Sequence, residues 1–186
     1  MRPVWMVFLL ALAAAPGAVA AQSPFVEEVR FGVLAQSCCG FGANKEDGVG
    51  INAEAVFKSP KFLSILAAPR PVVGFTASTD RGATSEFYAG FEWRYDLSDR
   101  FFVSTMLGGA IHNGETDPFD PVADAGRADT TLFMGCRAHF RYAVDGGVWL
   151  TDRISASIYW SHISNAGLCS ENEGLDHLGA RIGYRF

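Results

Sequence analysis

Between Glu86 and Asp96 the chain changes character at every residue: Phe87, Ala89, Phe91, Trp93 and Tyr95 alternate with Glu86, Tyr88, Gly90, Glu92, Arg94 and Asp96. Successive side chains of a strand point to opposite faces, so this run has one aromatic face and one largely charged face. The same split recurs in EVRFGVLAQ, where Val29, Phe31 and Val33 oppose Arg30 and Gly32. In GVGINAEAVF, Val49, Ile51, Ala53, Ala55 and Phe57 oppose Asn52 and Glu54. It continues through PVVGFTAST and RFFVSTMLGGAIH. The longest run goes from Leu132 to Leu150, with Leu132, Met134, Cys136, Ala138, Phe140, Tyr142, Val144, Val148 and Leu150 opposite Arg137, His139, Arg141 and Asp145. A period of two sustained over about eight runs predicts an all-β chain, and an even number of strands joined by turns predicts an antiparallel sheet closed into a barrel.

A soluble barrel buries its apolar face, whereas a membrane barrel turns it outward, and alternation alone fits both. Three features select the membrane form. The apolar face is rich in large aromatics, the other face interleaves acids and bases that can neutralise one another in a narrow lumen, and the last strand, LGARIGYRF, ends on Phe186. A terminal aromatic of this kind is what the barrel-assembly machinery of the outer membrane reads. Connections are short at Ser98-Asp99 and Thr151-Asp152 and long at 36–47, 113–130 and 165–174, as periplasmic turns and extracellular loops are. NGETDPFDPVADAGRAD has the Pro, Asp and Gly content of an exposed loop. KSPKFLSILAAPRP is long and apolar for a periplasmic turn, and a short helix lying at the interface would account for it. The expectation is an eight-stranded antiparallel outer-membrane β-barrel.

The amino terminus supplies an export address. Arg2, an apolar run from Val4 to Ala15, Pro16-Gly17 and the small residues Ala18 to Ala21 read as a signal peptide over residues 1–21, leaving 22–186 as one barrel domain. The run is shorter than the ~20 residues of a membrane-spanning helix. A net charge of -5 with no basic tract argues against nucleic-acid binding. The four cysteines, Cys38, Cys39, Cys136 and Cys169, lack metal-ligand spacing, and in an exported chain they point to a disulfide.

Parity applied to the last hairpin singles out a site. On the seventh strand the apolar face Ile154, Ala156, Ile158 and Trp160 continues into His162 and Ser164. On the eighth, counting back from Phe186 through Tyr184, Ile182, Ala180 and Leu178 leads to Asp176. All three polar residues therefore face outward, where a charged group costs up to about 2 to 4 kcal/mol at the midplane and less near the interface. Imidazole activates a serine hydroxyl by taking its proton, and a carboxylate on the far ring nitrogen fixes the tautomer. Asn165, or the backbone N–H groups of Ala166 and Gly167, can face a tetrahedral oxyanion. From spacing alone, a strand that simply ends in polar residues at headgroup level fits equally well. A metal site of His162, Asp176 and His177 fits less well, because His177 has lumen parity, so neither metal nor cofactor is expected. His112 also has lumen parity and reads as a buried hydrogen-bonding group, while Arg94, Arg137, Arg141, Arg181 and Arg185 with Glu28, Glu54 and Glu92 read as a lumen charge network.

HISNAGLCSENEGLDHLGARIGYRF resembles the carboxyl-terminal signature of the PagL-type lipid A 3-O-deacylases, also called the acyloxyacyl hydrolase family. EVRFGVLAQ, INAEAVFKSP, GFTASTDRGATSEFYAGFEWRYDL and FFVSTMLGGAIHNG resemble that family's strands. The resemblance implies an outer-membrane barrel whose lipid-facing triad hydrolyses the ester-linked acyl chain at the 3 position of lipid A, the lipid part of lipopolysaccharide, without cofactor. Ser164 would be nucleophile, His162 base and Asp176 the acid, with Asn165 and the small residues after it near the oxyanion. The family's best-known members carry glutamate in place of Asp176. Two other classes stay open: a structural or adhesive barrel, and an esterase or phospholipase acting on another lipid. Closure of strand eight against strand one makes the first and last long loops neighbours, which predicts a disulfide from Cys169 to Cys38 or Cys39 and leaves Cys136 as a small apolar residue on the lipid-facing wall.

Overall fold

The two-residue period becomes a sheet with no edges. In the computed structural model, which describes residues 25–186, eight strands run β1 (Val26–Gln36), β2 (Val49–Phe57), β3 (Arg70–Ser78), β4 (Glu86–Asp96), β5 (Phe101–His112), β6 (Ala138–Trp149), β7 (Ile154–Ser164) and β8 (Leu175–Arg185). Each is antiparallel to the next, and β8 closes on β1 with Phe31 opposite Ile182 and Val33 opposite Ala180. The strands are 9 to 12 residues long, close to the ~9 to 11 that a tilted strand needs to cross the hydrocarbon core. The signal segment expected over 1–21 lies outside the described residues.

The two faces sort as a membrane requires. Phe31, Phe75, Phe87, Phe91, Phe140, Ile158 and Ile182 are exposed on the outer wall, while Arg30, Glu54, Glu92, Arg141 and Arg181 are buried inside. An apolar belt around the whole molecule is stable only under lipid. Inside, Arg30 donates to Glu28 at 2.9 Å, to Glu54 at 2.8 Å and to Glu92. Arg181 pairs with Glu54 at 3.1 Å and with Asp145, and Arg94 pairs with Glu28 at 3.1 Å. Arg141 pairs with Glu86 at 3.3 Å and lies 3.6 Å from the centre of the Tyr88 ring. Among the described residues, the lumen is thus filled by paired charges and aromatic rings.

Arg30 is the hub, since it donates to three carboxylates and lies 3.9 Å from a fourth, Asp145. Arg30→Met is expected to destabilise the barrel by about 3 to 5 kcal/mol, because it leaves buried acids uncompensated. Urea unfolding in detergent micelles, compared with wild type, measures it. Two arginines expected in this network make no ion pair among the described residues. Arg137 donates to the Gly114 carbonyl at 2.6 Å in the loop region beyond β5, and Arg185 stacks over the Trp149 ring at 3.7 Å near the other end.

The apolar connection between β2 and β3 forms a 3-10 helix over Lys61–Leu66, with Phe62, Ile65 and Leu66 exposed. Trp93 holds it by donating its indole N–H to the Leu66 carbonyl at 2.8 Å. These exposed side chains suit an element lying in the interface.

The long alternating run before β6 departs from the expected parity. Leu132, Phe133 and Met134 turn inward and are buried in the mouth of the barrel, and the strand begins only at Ala138. Gly135 makes the break. Its φ is +75°, and a Cβ there would sit 2.4 Å from the Glu171 carbonyl oxygen, so only glycine fits. Cys136 is thereby taken off the lipid-facing wall. It is bonded to Cys169, with Cα atoms 6.0 Å apart, which corrects the expected pairing of Cys169 with Cys38 or Cys39. The last loop borders two others: the loop before β6 through the β6–β7 pair, and the loop after β1 through the barrel closure. Burial of Leu132 to Met134 brings Cys136, not Cys38 or Cys39, to Cys169.

Candidate active site

The outward face of β7 runs Ile158, Trp160, His162, Ser164, and the register sets His162 directly opposite Asp176 of β8. Side chains of directly opposed residues meet on one face. The His162 Nδ1–H donates to Asp176 Oδ1 at 2.6 Å. Nε2 has no hydrogen-bond partner among the described residues, so the imidazole is oriented at one nitrogen and unoccupied at the other. Ser164 stands one pleat further along the same face, opposite Phe140 of β6. Its hydroxyl also lacks a partner among the described residues. The fold thus joins His162 to Asp176 and sets Ser164 on their side of the wall, without a direct Ser164–His162 hydrogen bond. Catalytic hydrogen bonds of this kind commonly tighten only when substrate is bound.

Asp176 has outward parity yet is 0% exposed, which modifies the expectation that it meets lipid. The loop after β1 folds back over the outer wall as a strap. The backbone N–H of Ser37 donates to the Asp176 carbonyl at 2.8 Å and that of Ala43 to the Gly174 carbonyl at 3.1 Å. Between them, the Gly42 N–H donates to Asp176 Oδ2 at 2.7 Å. Both carboxylate oxygens are therefore held, one by the imidazole and one by the strap. The Cys39 carbonyl accepts from the Trp160 indole at 3.1 Å. Phe41 sets the edge of its ring against His162 at 5.9 Å, and the Trp160 ring lies 8° from parallel to the imidazole at 6.2 Å. His162 is thus walled by two aromatics that also shield its bond to Asp176 from water.

The strap comes this close because of its glycines. A Cβ on Gly40 would sit 2.4 Å from Asp176 Oδ2. Gly40→Ala is expected to push the strap off the carboxylate and slow any reaction that uses the His162–Asp176 pair roughly 10- to 100-fold, as small misplacements of a catalytic group do. Turnover assays beside thermal unfolding of the same preparation separate this from loss of fold.

Of the three residues expected near an oxyanion, Asn165 is committed to the last loop. Its amide donates to the carbonyls of Met134 at 2.8 Å and Glu171 at 2.6 Å, and its oxygen accepts from the N–H groups of Gly167 at 2.9 Å and Leu168 at 3.1 Å. Its own N–H goes to Asn172 at 3.0 Å. Ala166, at φ +56°, keeps a backbone N–H with no partner among the described residues. His177 points into the lumen and is buried, away from the Asp176 side chain, and His112 contacts the Cys136 carbonyl at 2.8 Å as a buried hydrogen-bonding group. The strap residues Gly40, Phe41 and Gly42 were not singled out by sequence reasoning. Their only signal is the run CCGFG, which names no partner.

Comparison with known proteins gives the family and the architecture. The sequence profile described as lipid A 3-O-deacylase (PagL) matches residues 73–185, a span that includes His162, Ser164 and Asp176. The crystal structure of the outer membrane enzyme PagL superposes with a TM-score of 0.60 at 14% identity, covering 86% of this chain and 99% of that one. Neisserial surface protein A gives a TM-score of 0.53 at 11% identity over 88% of this chain and 98% of its own. A de novo designed transmembrane β-barrel gives 0.53 at 11% identity over 89% and 98%. No curated protein matches the sequence. The superpositions establish the barrel architecture, the profile covers more than half of the chain, and an outer-membrane location follows from the two together. The chain belongs to the PagL lipid A 3-O-deacylase family.

Proposed function

We propose that this outer-membrane barrel hydrolyses the ester holding the acyl chain at the 3 position of lipid A, using Ser164 as nucleophile, His162 as base and Asp176 as the orienting acid. One observation carries the reading: an imidazole bonded to a fully covered carboxylate at 2.6 Å, on the outer wall of a barrel, beside an uncommitted serine. The other outward positions of β7 are apolar or small, so the His162–Asp176 pair stands out on that face, and anchoring the strap at Asp176 Oδ2 leaves the imidazole free at Nε2.

The chemistry follows from the two free groups. Ser164 Oγ attacks the ester carbonyl while His162 Nε2 takes its proton, and Asp176 stabilises the imidazolium through Nδ1–H. The Ala166 N–H is the donor available to the oxyanion. Collapse expels the sugar alkoxide, which takes the proton from Nε2. Water, deprotonated by the same nitrogen, then attacks the acyl-serine and releases the fatty acid. Because the lumen is filled, substrate comes laterally from the surrounding leaflet. An open depression of about 450 Å³ on the outer wall, lined by Tyr95, Val103, Thr105, Val144, Ile158 and Trp160 but not by His162 or Ser164, suits an acyl chain. Phe186, stacked edge-on to Tyr184 at 5.3 Å at the end of β8, is the group the barrel-assembly machinery would engage.

Expression in a membrane containing lipid A, followed by mass spectrometry of extracted lipids, tests the reading. Loss of the hydroxyacyl chain from the 3 position supports it. Release of fatty acid from phospholipid alone would favour an esterase of another lipid, and intact lipids beside a folded barrel would favour a structural role.

A further inference from the structure

Cys38 and Cys39 lie in the strap, next to the residues that grip Asp176. With Cys136 and Cys169 bonded to each other, they are the two cysteines left over. Their sulfurs are 2.7 Å apart, well inside the ~3.5 to 4.0 Å at which even unbonded carbon atoms rest. The backbone is bent to bring them together: Ser37 and Cys39 both take left-handed conformations, with φ of +53° and +35°, which non-glycine residues rarely do. Burial, the neighbouring Cys39 and Asp176 push the Cys38 thiol up to about 12, so it keeps its proton at neutral pH until the exposed Cys39 has reacted first. The Cys136–Cys169 bond marks the compartment as one in which thiols are oxidised.

We propose that Cys38 and Cys39 are joined to each other in a disulfide in the mature protein, and that this bond fixes the strap in the conformation that holds Asp176 against His162. The thiolate of the exposed Cys39 attacks one sulfur of an oxidising protein disulfide, that of a thiol–disulfide oxidoreductase of the exported compartment, and expels its partner sulfur as thiolate. The Cys38 sulfur, giving up its proton, then attacks Cys39 Sγ in the mixed disulfide and expels the oxidoreductase's second thiolate. The pair loses two electrons and two protons, and the oxidoreductase disulfide gains both electrons. Locking matters because Gly40 and Gly42, which touch or bond the carboxylate, follow the bonded pair directly. A small ring at the surface is the more reducible kind of disulfide, so reduction loosens the strap before it opens Cys136–Cys169. This second consequence rests on the Ser164–His162–Asp176 reading; the bond itself does not.

The test uses the full-length protein extracted from membranes, alkylated without reductant and digested. The expected peptide carries Cys38 and Cys39 unalkylated and lighter than the dithiol by two hydrogens, and it takes up two alkyl groups after reduction. Recovery of both cysteines alkylated without reductant, or of either one linked to Cys136 or Cys169, would overturn the proposal. In a second arm, reductant at a level that leaves Cys136–Cys169 intact is expected to lower lipid A deacylation roughly tenfold, and Cys38→Ser/Cys39→Ser is expected to be slow with or without it. An unchanged wild-type rate after demonstrated reduction of the pair overturns the locking role. Full deacylation by Ser164→Ala would instead sink the catalytic reading while leaving the peptide mass intact.

Discussion

Ser164→Ala is expected to lower kcat for lipid A deacylation by roughly 10⁴- to 10⁶-fold, the scale seen when a serine hydrolase loses its nucleophile. The barrel should be unaffected. The Ser164 hydroxyl bonds to nothing among the described residues and lies on the outer wall, so its removal deletes no structural contact. The variant should keep wild-type unfolding in urea while product formation falls to the level of an empty membrane. That separation distinguishes a nucleophile from a strand-end serine. If Ser164 merely tuned the position of its neighbours, alanine would shift KM or lower the rate a few-fold and leave turnover measurable.

Asp176→Asn should cost about 10⁴-fold in kcat, as loss of the orienting carboxylate does elsewhere. The reason is specific to this site. Asp176 accepts two hydrogen bonds, from His162 Nδ1–H and the Gly42 N–H. An amide offers one oxygen and one NH₂, so one donor must face another donor. The pair resolves this by flipping the imidazole tautomer, which puts the proton on Nε2 and removes the base, or by releasing the strap. KM should move little, since the carboxylate touches no substrate. Asp176→Glu restores the charge but carries one more methylene beneath a strap with no room at Gly40. It should recover activity over Asp176→Asn without reaching wild type. Rates of lipid A deacylation in detergent, at saturating and sub-saturating substrate, separate these effects.

Much of the fold could be read in the residues because a membrane barrel writes its geometry locally. Each strand must satisfy lipid on one side and a charged lumen on the other, so residues such as Phe87 and Glu92 declare their faces without reference to any partner. Counting by twos from Trp160 and from Phe186 therefore placed His162, Ser164 and Asp176 on one wall. Parity fails where the chain leaves the ladder. Gly135 turns Leu132 to Met134 into the mouth, and an alternating sequence there was read as strand although it is a plug. The disulfide failed for a related reason: a closed barrel gives every loop two neighbours, and only the packing of the plug selects Cys136 for Cys169. The cover over Asp176 had no local signature, since a strap held by backbone N–H groups and glycines leaves the chemistry of its contacts out of the side-chain sequence. Asn165 shows the same limit. Its neighbours in sequence suggested an oxyanion donor, while its amide is taken by Met134 from the loop before β6 and by Glu171 further along its own loop.

Covalent capture tests the proposed activation of Ser164 by His162 and Asp176 toward an ester presented from the lipid phase. The folded barrel in lipid A-containing vesicles is treated with a long-chain alkyl phosphonate that traps serine nucleophiles, and the digested protein is mapped by mass spectrometry. One phosphonyl group is expected on the peptide bearing Ser164, formed in proportion to the loss of deacylation and strongly slowed in Asp176→Asn. Complete inactivation with the label on another residue, or full labelling of Ser164 with deacylation undiminished, would contradict that activation.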